Sequence, residues 1–173
     1  YYPEVIRCNV KMNEGTKLLS PFLDISNEKT FPKYFTRQML SDGIELRERN
    51  VKKAADLAYK ALYDYKREVE NEGKHIIEVS ERENIPLVVL VGRPYHVDSE
   101  INHGIDTLLT SLGASIITED SVSREEEKFK TMVLNQWTYH SRLYSAAKWV
   151  RDRKDNKTVL IHLVSFGCGV DAI

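Results

Sequence analysis

The 173-residue chain is 42% hydrophobic and carries 25 basic and 26 acidic residues, so its formal net charge at pH 7 is -1. This balance leaves no excess positive charge to bind nucleic acid or an anionic membrane, and no apolar run approaches the roughly 20 residues that a membrane-spanning helix needs. The two cysteines are too few for a disulfide scaffold and fit a reducing compartment. We therefore expect a cytoplasmic protein with one core-forming domain over residues 1–173.

The first half of the chain is predicted to be mainly helical. Pro3 and Glu4 are typical of a helix start. The clearest helix covers about residues 45–72, where apolar side chains recur every three or four positions and charged side chains fill the opposite face. A weak strand is predicted over residues 17–25, where Pro21 restricts it to a sheet edge. Shorter helices are predicted over residues 30–41 and 74–83, and Gly73 is the predicted stop of the helix over residues 45–72.

From residue 85 onward the pattern changes to strands that alternate with helices. The run from Ile85 to Val91 is short, continuously apolar and rich in β-branched residues, as in a strand covered on both faces of a parallel sheet. Such alternation implies right-handed crossovers. We therefore predict an α/β fold, a Rossmann-like three-layer domain with a mainly parallel sheet of about four strands. The later elements are predicted helices over residues 100–112 and 131–151, predicted strands over residues 114–118 and 158–164, and a solvated loop or helix end over residues 124–130.

Polar or glycine-rich segments follow each of the three later strands. They cover residues 92–104, 118–121 and 165–169. Because ligands bind outside the carboxyl ends of the strands in open parallel sheets, we expect these segments to meet at one edge and form the functional site.

The segment after the first strand is the richest in chemistry. His96 and His103 can transfer protons near neutral pH or bind a metal, and we place function slightly ahead of a structural role for both. Arg93 is a fixed cation that suits a carboxylate or a phosphate. Asp98 and Ser99 are interpreted mainly as caps of the following helix.

Cys168 lies between Gly167 and Gly169 just past the last predicted strand. Flanking glycines let the backbone approach a ligand closely. A thiolate at this position is equally compatible with iron ligation and with a small buried hydrophobic side chain.

Other histidines and aromatic residues are predicted to be structural. His140 falls on an apolar helix face and His162 inside a strand, so we expect both to be satisfied within the core. Trp137, Tyr139 and Tyr144 are expected to be packing residues rather than parts of a cofactor site.

Four segments of the chain resemble the signature motifs of one protein family. The most specific is GRPYHVDSEINHG at residues 92–104, where the family usually has proline in place of Ser99. The others are TEDS at residues 118–121, WTYHSR at residues 137–142 and SFGCGVDA at residues 165–172. By these motifs the chain is identified as a member of the activase-related domains of 2-hydroxyacyl-CoA dehydratase activator-like proteins.

The resemblance implies a role in radical dehydration. In these proteins an ATPase module of the actin/hexokinase type is fused to dehydratase-like domains. Related dehydratases use a [4Fe–4S] cluster to pass one electron to an acyl-CoA thioester, which forms a ketyl radical before water is eliminated. The predicted site residues are His96, His103 and Glu119 as catalytic groups, Arg93, Tyr95, Ser99 and Asn102 as ligand-binding groups, and Cys168 as a metal ligand.

We expect the chain to be a fragment of a larger multidomain protein, because it stops just after a glycine-rich turn. The remaining cluster ligands and ATP hydrolysis would then belong to other parts of the parent chain, which would be its partners together with acyl-CoA. The fragment alone is expected to be inactive. The alternatives are a non-catalytic docking domain and a domain that binds a small anion through Arg93.

Overall fold

The computed structural model describes residues 2–94, 97–123 and 137–164 of the chain. The chain divides into two compact units, Tyr1–Asp64 and Tyr65–Ile173. The elements in chain order are α1 (Tyr2–Asn9), α2 (Phe31–Ser41), α3 (Glu48–Glu83), β1 (Leu87–Gly92), α4 (Ile105–Ser111), β2 (Ser115–Thr118), a short 3-10 turn (Glu119–Ser121, the Glu119 turn), α5 (Thr138–Arg153) and β3 (Thr158–Leu163).

Aromatic side chains hold the first unit together. The rings of Phe31 and Phe35 lie 5.6 Å apart, and Phe31 meets Tyr59 of α3 edge-on at 6.2 Å. The Tyr59 hydroxyl donates a hydrogen bond of 2.7 Å to the carbonyl of Ile25. The strand predicted over residues 17–25 is wrong, because this segment has irregular backbone. Pro21 cannot donate a ladder hydrogen bond, and the segment is instead tied to α3 through side chains.

α3 runs without a break through Gly73, so the predicted helix stop at this residue is wrong. A Cβ atom on Gly73 would lie 2.5 Å from the Cβ of Ser121, so glycine here allows a close approach of the helix to the Glu119 turn. The helix ends at Glu83, and the next residue, Asn84, adopts a left-handed φ of 58°. At this end of the helix, the Ser80 hydroxyl donates a hydrogen bond of 2.7 Å to the carbonyl of Ile85.

The second unit is built on a parallel three-stranded sheet in the order β2-β1-β3. Leu90 of β1 aligns with Thr118 of β2, and Gly92 aligns with Leu163 of β3. Every residue of the central strand is buried, as its continuous apolar run predicts. The predicted α/β class with a parallel sheet is confirmed, and the described residues contain three strands rather than the expected four.

The main core lies on one face of this sheet. Leu87, Val89 and Val91 alternate toward that face and are almost fully buried. Ile76 of α3 and Ala146 of α5 pack with them. Since β2 and β3 lie on opposite sides of β1, right-handed crossovers would carry α4 and α5 over opposite faces.

The bounds of the two later helices differ from those that the sequence predicts. The helix predicted over residues 100–112 is reduced to α4, because residues 99–104 form turns. α5 begins at Thr138 and ends at Arg153, two residues beyond its predicted end. The loop predicted over residues 124–130 and the first part of the last predicted helix, residues 131–136, lie outside the described residues. Within the described part of the chain, no helix combines the length and the apolar character that a membrane crossing requires.

Candidate functional site

The carboxyl ends of the three strands lie at one edge of the sheet, because all strand pairs are parallel and nearly in step. The chain therefore leaves β1 and β2 at the same edge, as predicted. The third predicted segment, residues 165–169, lies outside the described residues. We define the carboxyl edge as the loop after β1, the Glu119 turn after β2 and the start of α5.

A buried carboxyl group lies at this edge, directly after the outer strand β2. Glu119 follows β2 directly and is only 2% exposed. Its Oε1 accepts a hydrogen bond of 2.8 Å from Nη2 of Arg142 on α5. Burial raises the pKa of Glu119, although the Arg142 guanidinium opposes the rise. Its Oε2 has no hydrogen-bond partner among the described residues, so this oxygen can take up a proton or a ligand donor.

Arg142 connects several groups of the edge. Its Nη2 also lies 3.6 Å from Oδ2 of Asp120, and its guanidinium carbon is 5.6 Å from the ring centroid of Tyr139. Thr118 donates a short hydrogen bond to Asp120 and so fixes that second carboxylate. Arg142 is not among the site residues that the sequence predicts, although it lies in the WTYHSR motif. A cation that pairs with a residue 23 positions away gives no local signal.

A second arginine at the edge stacks on tryptophan. The guanidinium carbon of Arg93 lies 5.6 Å from the centroid of Trp137, whose ring meets that of His140 edge-on at 5.7 Å. Trp137 is 47% exposed and Tyr139 is 37% exposed. Each ring is thus partly exposed beneath a guanidinium, and the prediction that both are packing residues rather than parts of a cofactor site stays a prediction.

The loop after β1 combines structural and exposed groups. Asp98 Oδ1 accepts hydrogen bonds from the backbone N–H groups of Glu100 and Ile101 at 2.9 and 3.3 Å. It therefore closes a turn rather than capping α4, which begins after Gly104. Ser99 is exposed and does not cap α4 either, because no side chain caps that helix.

Asn102 and His103 differ sharply in burial. Asn102 is 3% exposed, and its Oδ1 accepts a hydrogen bond of 2.8 Å from the backbone N–H of Gly104. Its Nδ2 has no hydrogen-bond partner among the described residues and is a donor that a ligand could use. His103 is exposed with a left-handed φ of 59°. Tyr95, His96 and Cys168 lie outside the described residues, so their predicted roles remain predictions.

The described residues do not by themselves supply the ligands of an iron–sulfur cluster. Cys8 is a free, exposed cysteine on α1. Across residues 2–94, 97–123 and 137–164 there is no group of three or more histidine, cysteine, aspartate or glutamate side chains that could hold a metal ion.

The fold and the edge define an α/β domain with a parallel sheet and a polar site at the carboxyl ends of its strands. The family model described as CoA enzyme activase uncharacterised domain (DUF2229) matches residues 1–122. This match covers well over half of the chain, which therefore belongs to that family, and the resemblance drawn from the motifs is confirmed. The matched residues include Glu119 and the loop after β1, whereas Arg142 lies beyond them. No curated protein and no solved structure matches the chain.

Proposed function

We propose that this chain is a dehydratase-like, iron–sulfur domain that supports ATP-driven single-electron transfer toward the dehydration of (R)-2-hydroxyacyl-CoA-type substrates. Membership of the CoA enzyme activase family supports the general role. The observation that carries the proposal is the buried Glu119 at the carboxyl edge, because buried carboxyl groups with perturbed pKa values are concentrated at functional sites. The low cysteine count supports action in the cytoplasm.

The fold proposal is a Rossmann-like arrangement of three layers. The strand order supports it, since β1 lies between β2 and β3 and the successive crossovers run in opposite directions across the sheet. A ligand in such a sheet would bind outside the carboxyl ends of the strands.

At this edge Glu119 would act as a proton donor, and Arg142 would orient its carboxyl group. A carboxyl group with a raised pKa holds its proton to higher pH than an exposed one and can donate it to a leaving hydroxyl group. Arg142 keeps the group oriented through Oε1 and leaves Oε2 for that exchange. When water is eliminated from a 2-hydroxyacyl group, an acid near the departing oxygen supplies the proton with which the hydroxyl leaves as water.

Arg93 would bind an anionic part of the substrate. Its guanidinium rests on a partly exposed tryptophan ring, which orients the cation. Acyl-CoA substrates carry phosphate groups that suit this cation. His96 and His103 are proposed as further acid–base groups, and Tyr95, Ser99 and Asn102 as ligand-binding groups.

The proposal includes a [4Fe–4S] cluster in the full-length protein, with Cys168 as one ligand and the others elsewhere. When bound, the cluster would supply single electrons to the substrate. ATP would be hydrolysed in a separate module of the parent chain, and other domains of that chain would be the partners of this one.

The alternative is a domain that docks other domains or binds a small anion without catalysis. The stack of Arg93 on Trp137 favours it, because a preoriented cation at a sheet edge can bind an anion with no cluster. In that case the Glu119–Arg142 pair would serve to attach α5 to the Glu119 turn.

Anaerobic purification of the natural protein that contains this chain separates the two. We expect bound iron and acid-labile sulfide, and we expect Cys168→Ser to lower the iron content. Cys8→Ser is the matched control, because Cys8 is exposed on α1 and should leave iron unchanged. Protein without iron after reconstitution, or equal iron in both variants, would contradict the cluster assignment.

A further inference from the structure

A small cavity lies between α5 and the sheet, and the proposed function uses none of its polar groups. Its volume is about 90 Å³, and His140 and Tyr144 of α5 and His162 of β3 contribute to its lining. Aliphatic side chains, among them Val91 and Leu160, form the rest of its wall. The cavity therefore presents three hydrogen-bonding side chains in apolar surroundings.

Regular secondary structure brings these three side chains together. His140 and Tyr144 are four residues apart on α5 and so share one side of the helix. His162 aligns with Val91 of the central strand, one residue before β3 ends at Leu163. The cavity thus lies directly beneath the carboxyl edge. The edge-on contact of His140 with Trp137 links the two places.

The hydroxyl group of Tyr144 gives the cavity its chemical character. Its oxygen is buried, and it has no hydrogen-bond partner among the described residues. Burying a hydroxyl without a partner is unfavourable, so a molecule that completes its hydrogen bonding is stabilised there. His140, only 4% exposed, adds a deeply buried imidazole to the same wall.

We propose that this cavity is a binding site for small, uncharged hydrogen-bonding molecules, and that ordered water is its resting occupant. At roughly 30 Å³ for each molecule, a cavity of this size has room for about three waters. Internal water needs two to four polar partners, and a phenol and two imidazoles together offer both donors and acceptors. Charged guests are disfavoured because the aliphatic wall cannot solvate them. The proposal does not depend on the iron–sulfur assignment.

Magnetisation transfer from water in the 173-residue chain tests this directly. We expect nuclear Overhauser cross-peaks between water and ring protons of Tyr144 and His162. Xenon, which enters dry apolar cavities, should leave the methyl shifts of Val91 and Leu160 unchanged. The absence of the water cross-peaks would overturn the proposal, and xenon-induced shifts would then identify a dry cavity.

Replacement of the tyrosine provides a second test with a definite sign. Tyr144→Phe should abolish the cross-peaks to that ring and lower the urea midpoint, because water no longer finds its partner. Tyr65→Phe is the matched control, since Tyr65 is 60% exposed and its hydroxyl is free to meet solvent. A midpoint for Tyr144→Phe equal to or above that of the unmodified chain would contradict the proposal, because removing an unsatisfied hydroxyl from a dry cavity does not destabilise the fold.

Discussion

The sheet has an acid–arginine pair at each of its two edges, and α5 supplies both arginines. At the carboxyl edge Arg142 meets Glu119, whose side chain is 2% exposed. At the opposite edge, where the chain enters β1 and β3 and which we call the amino edge, Arg153 meets Glu81 and Asp155, whose side chains are 57% and 33% exposed. The acid of the pair is therefore buried at the carboxyl edge and partly exposed at the amino edge.

The two places shift the pKa of an acid in opposite directions. Burial raises the pKa of Glu119 despite its arginine. Desolvation also acts to raise the pKa of Asp155, but hydrogen bonds from Thr158 and from the Lys157 amide outweigh it and lower the value. The amino edge thus has a hydrogen-bonded acid with a lowered pKa, whereas the carboxyl edge has a buried acid with a raised pKa and an Oε2 without a hydrogen-bond partner among the described residues.

Replacing each arginine with alanine should give the largest difference in unfolding free energy between the two edges. Arg142→Ala leaves the buried Glu119 without its cation and should cost about 3 kcal/mol of unfolding free energy. Arg153→Ala leaves acids that water can reach and should cost about 1 kcal/mol. Urea unfolding of both variants measures the difference. Equal losses would show that burial of the acid does not distinguish the edges.

The contact between Gly73 and the Glu119 turn offers a second way to break the carboxyl edge. Gly73→Ala places a methyl group where Ser121 already lies, and overpacking of this kind should cost about 1–3 kcal/mol. Ser121→Gly in the same chain should recover part of that loss, because it removes the side chain that clashes. A double variant no more stable than Gly73→Ala would mean that the strain lies elsewhere.

The pH dependence of stability should differ in sign between the edges. The folded protein binds more protons than the unfolded chain at Glu119, so its contribution to stability falls as pH rises above the ordinary value of 4.5. The free energy of unfolding of Glu119→Gln, relative to that of the unmodified chain, should therefore increase from pH 4 to pH 8. Parallel stability curves over that range would contradict the raised pKa.

Asp155→Asn is the matched variant at the amino edge. The lowered pKa of Asp155 means that its stabilisation is complete above the ordinary value of 3.8 and is lost as the pH falls below it. Asp155→Asn should therefore cost stability at neutral pH, and the difference should shrink in acid. A loss that is constant down to the acid limit would argue against this sign.

The smallest expected effect concerns the loop after β1. Asp98→Ala removes the acceptor of two backbone hydrogen bonds and should cost about 1 kcal/mol. Ser99→Ala, at an exposed neighbouring position, should stay within about 0.5 kcal/mol. Thermal unfolding compares the two variants. A larger loss of stability for Ser99→Ala than for Asp98→Ala would contradict the conclusion that Asp98 stabilises this turn.

The features that the sequence predicts are those with a local signal. The apolar run from Ile85 to Val91 predicts a doubly covered strand, and a parallel sheet then places Glu119 at the carboxyl edge. The missed features depend on tertiary contacts. Gly73 looks like a helix stop until Ser121 is found against it, and Arg142 has no visible partner until α5 packs on the Glu119 turn.

The central claim is that Glu119 is a buried carboxyl group poised to exchange a proton. Carbon-13 NMR titration of the Glu119 side-chain carboxyl, assigned by comparison with Glu119→Gln, measures this most directly. The account predicts a midpoint clearly above the ordinary glutamate pKa of 4.5. A midpoint at or below that value would contradict it and leave the Glu119–Arg142 pair a structural tie.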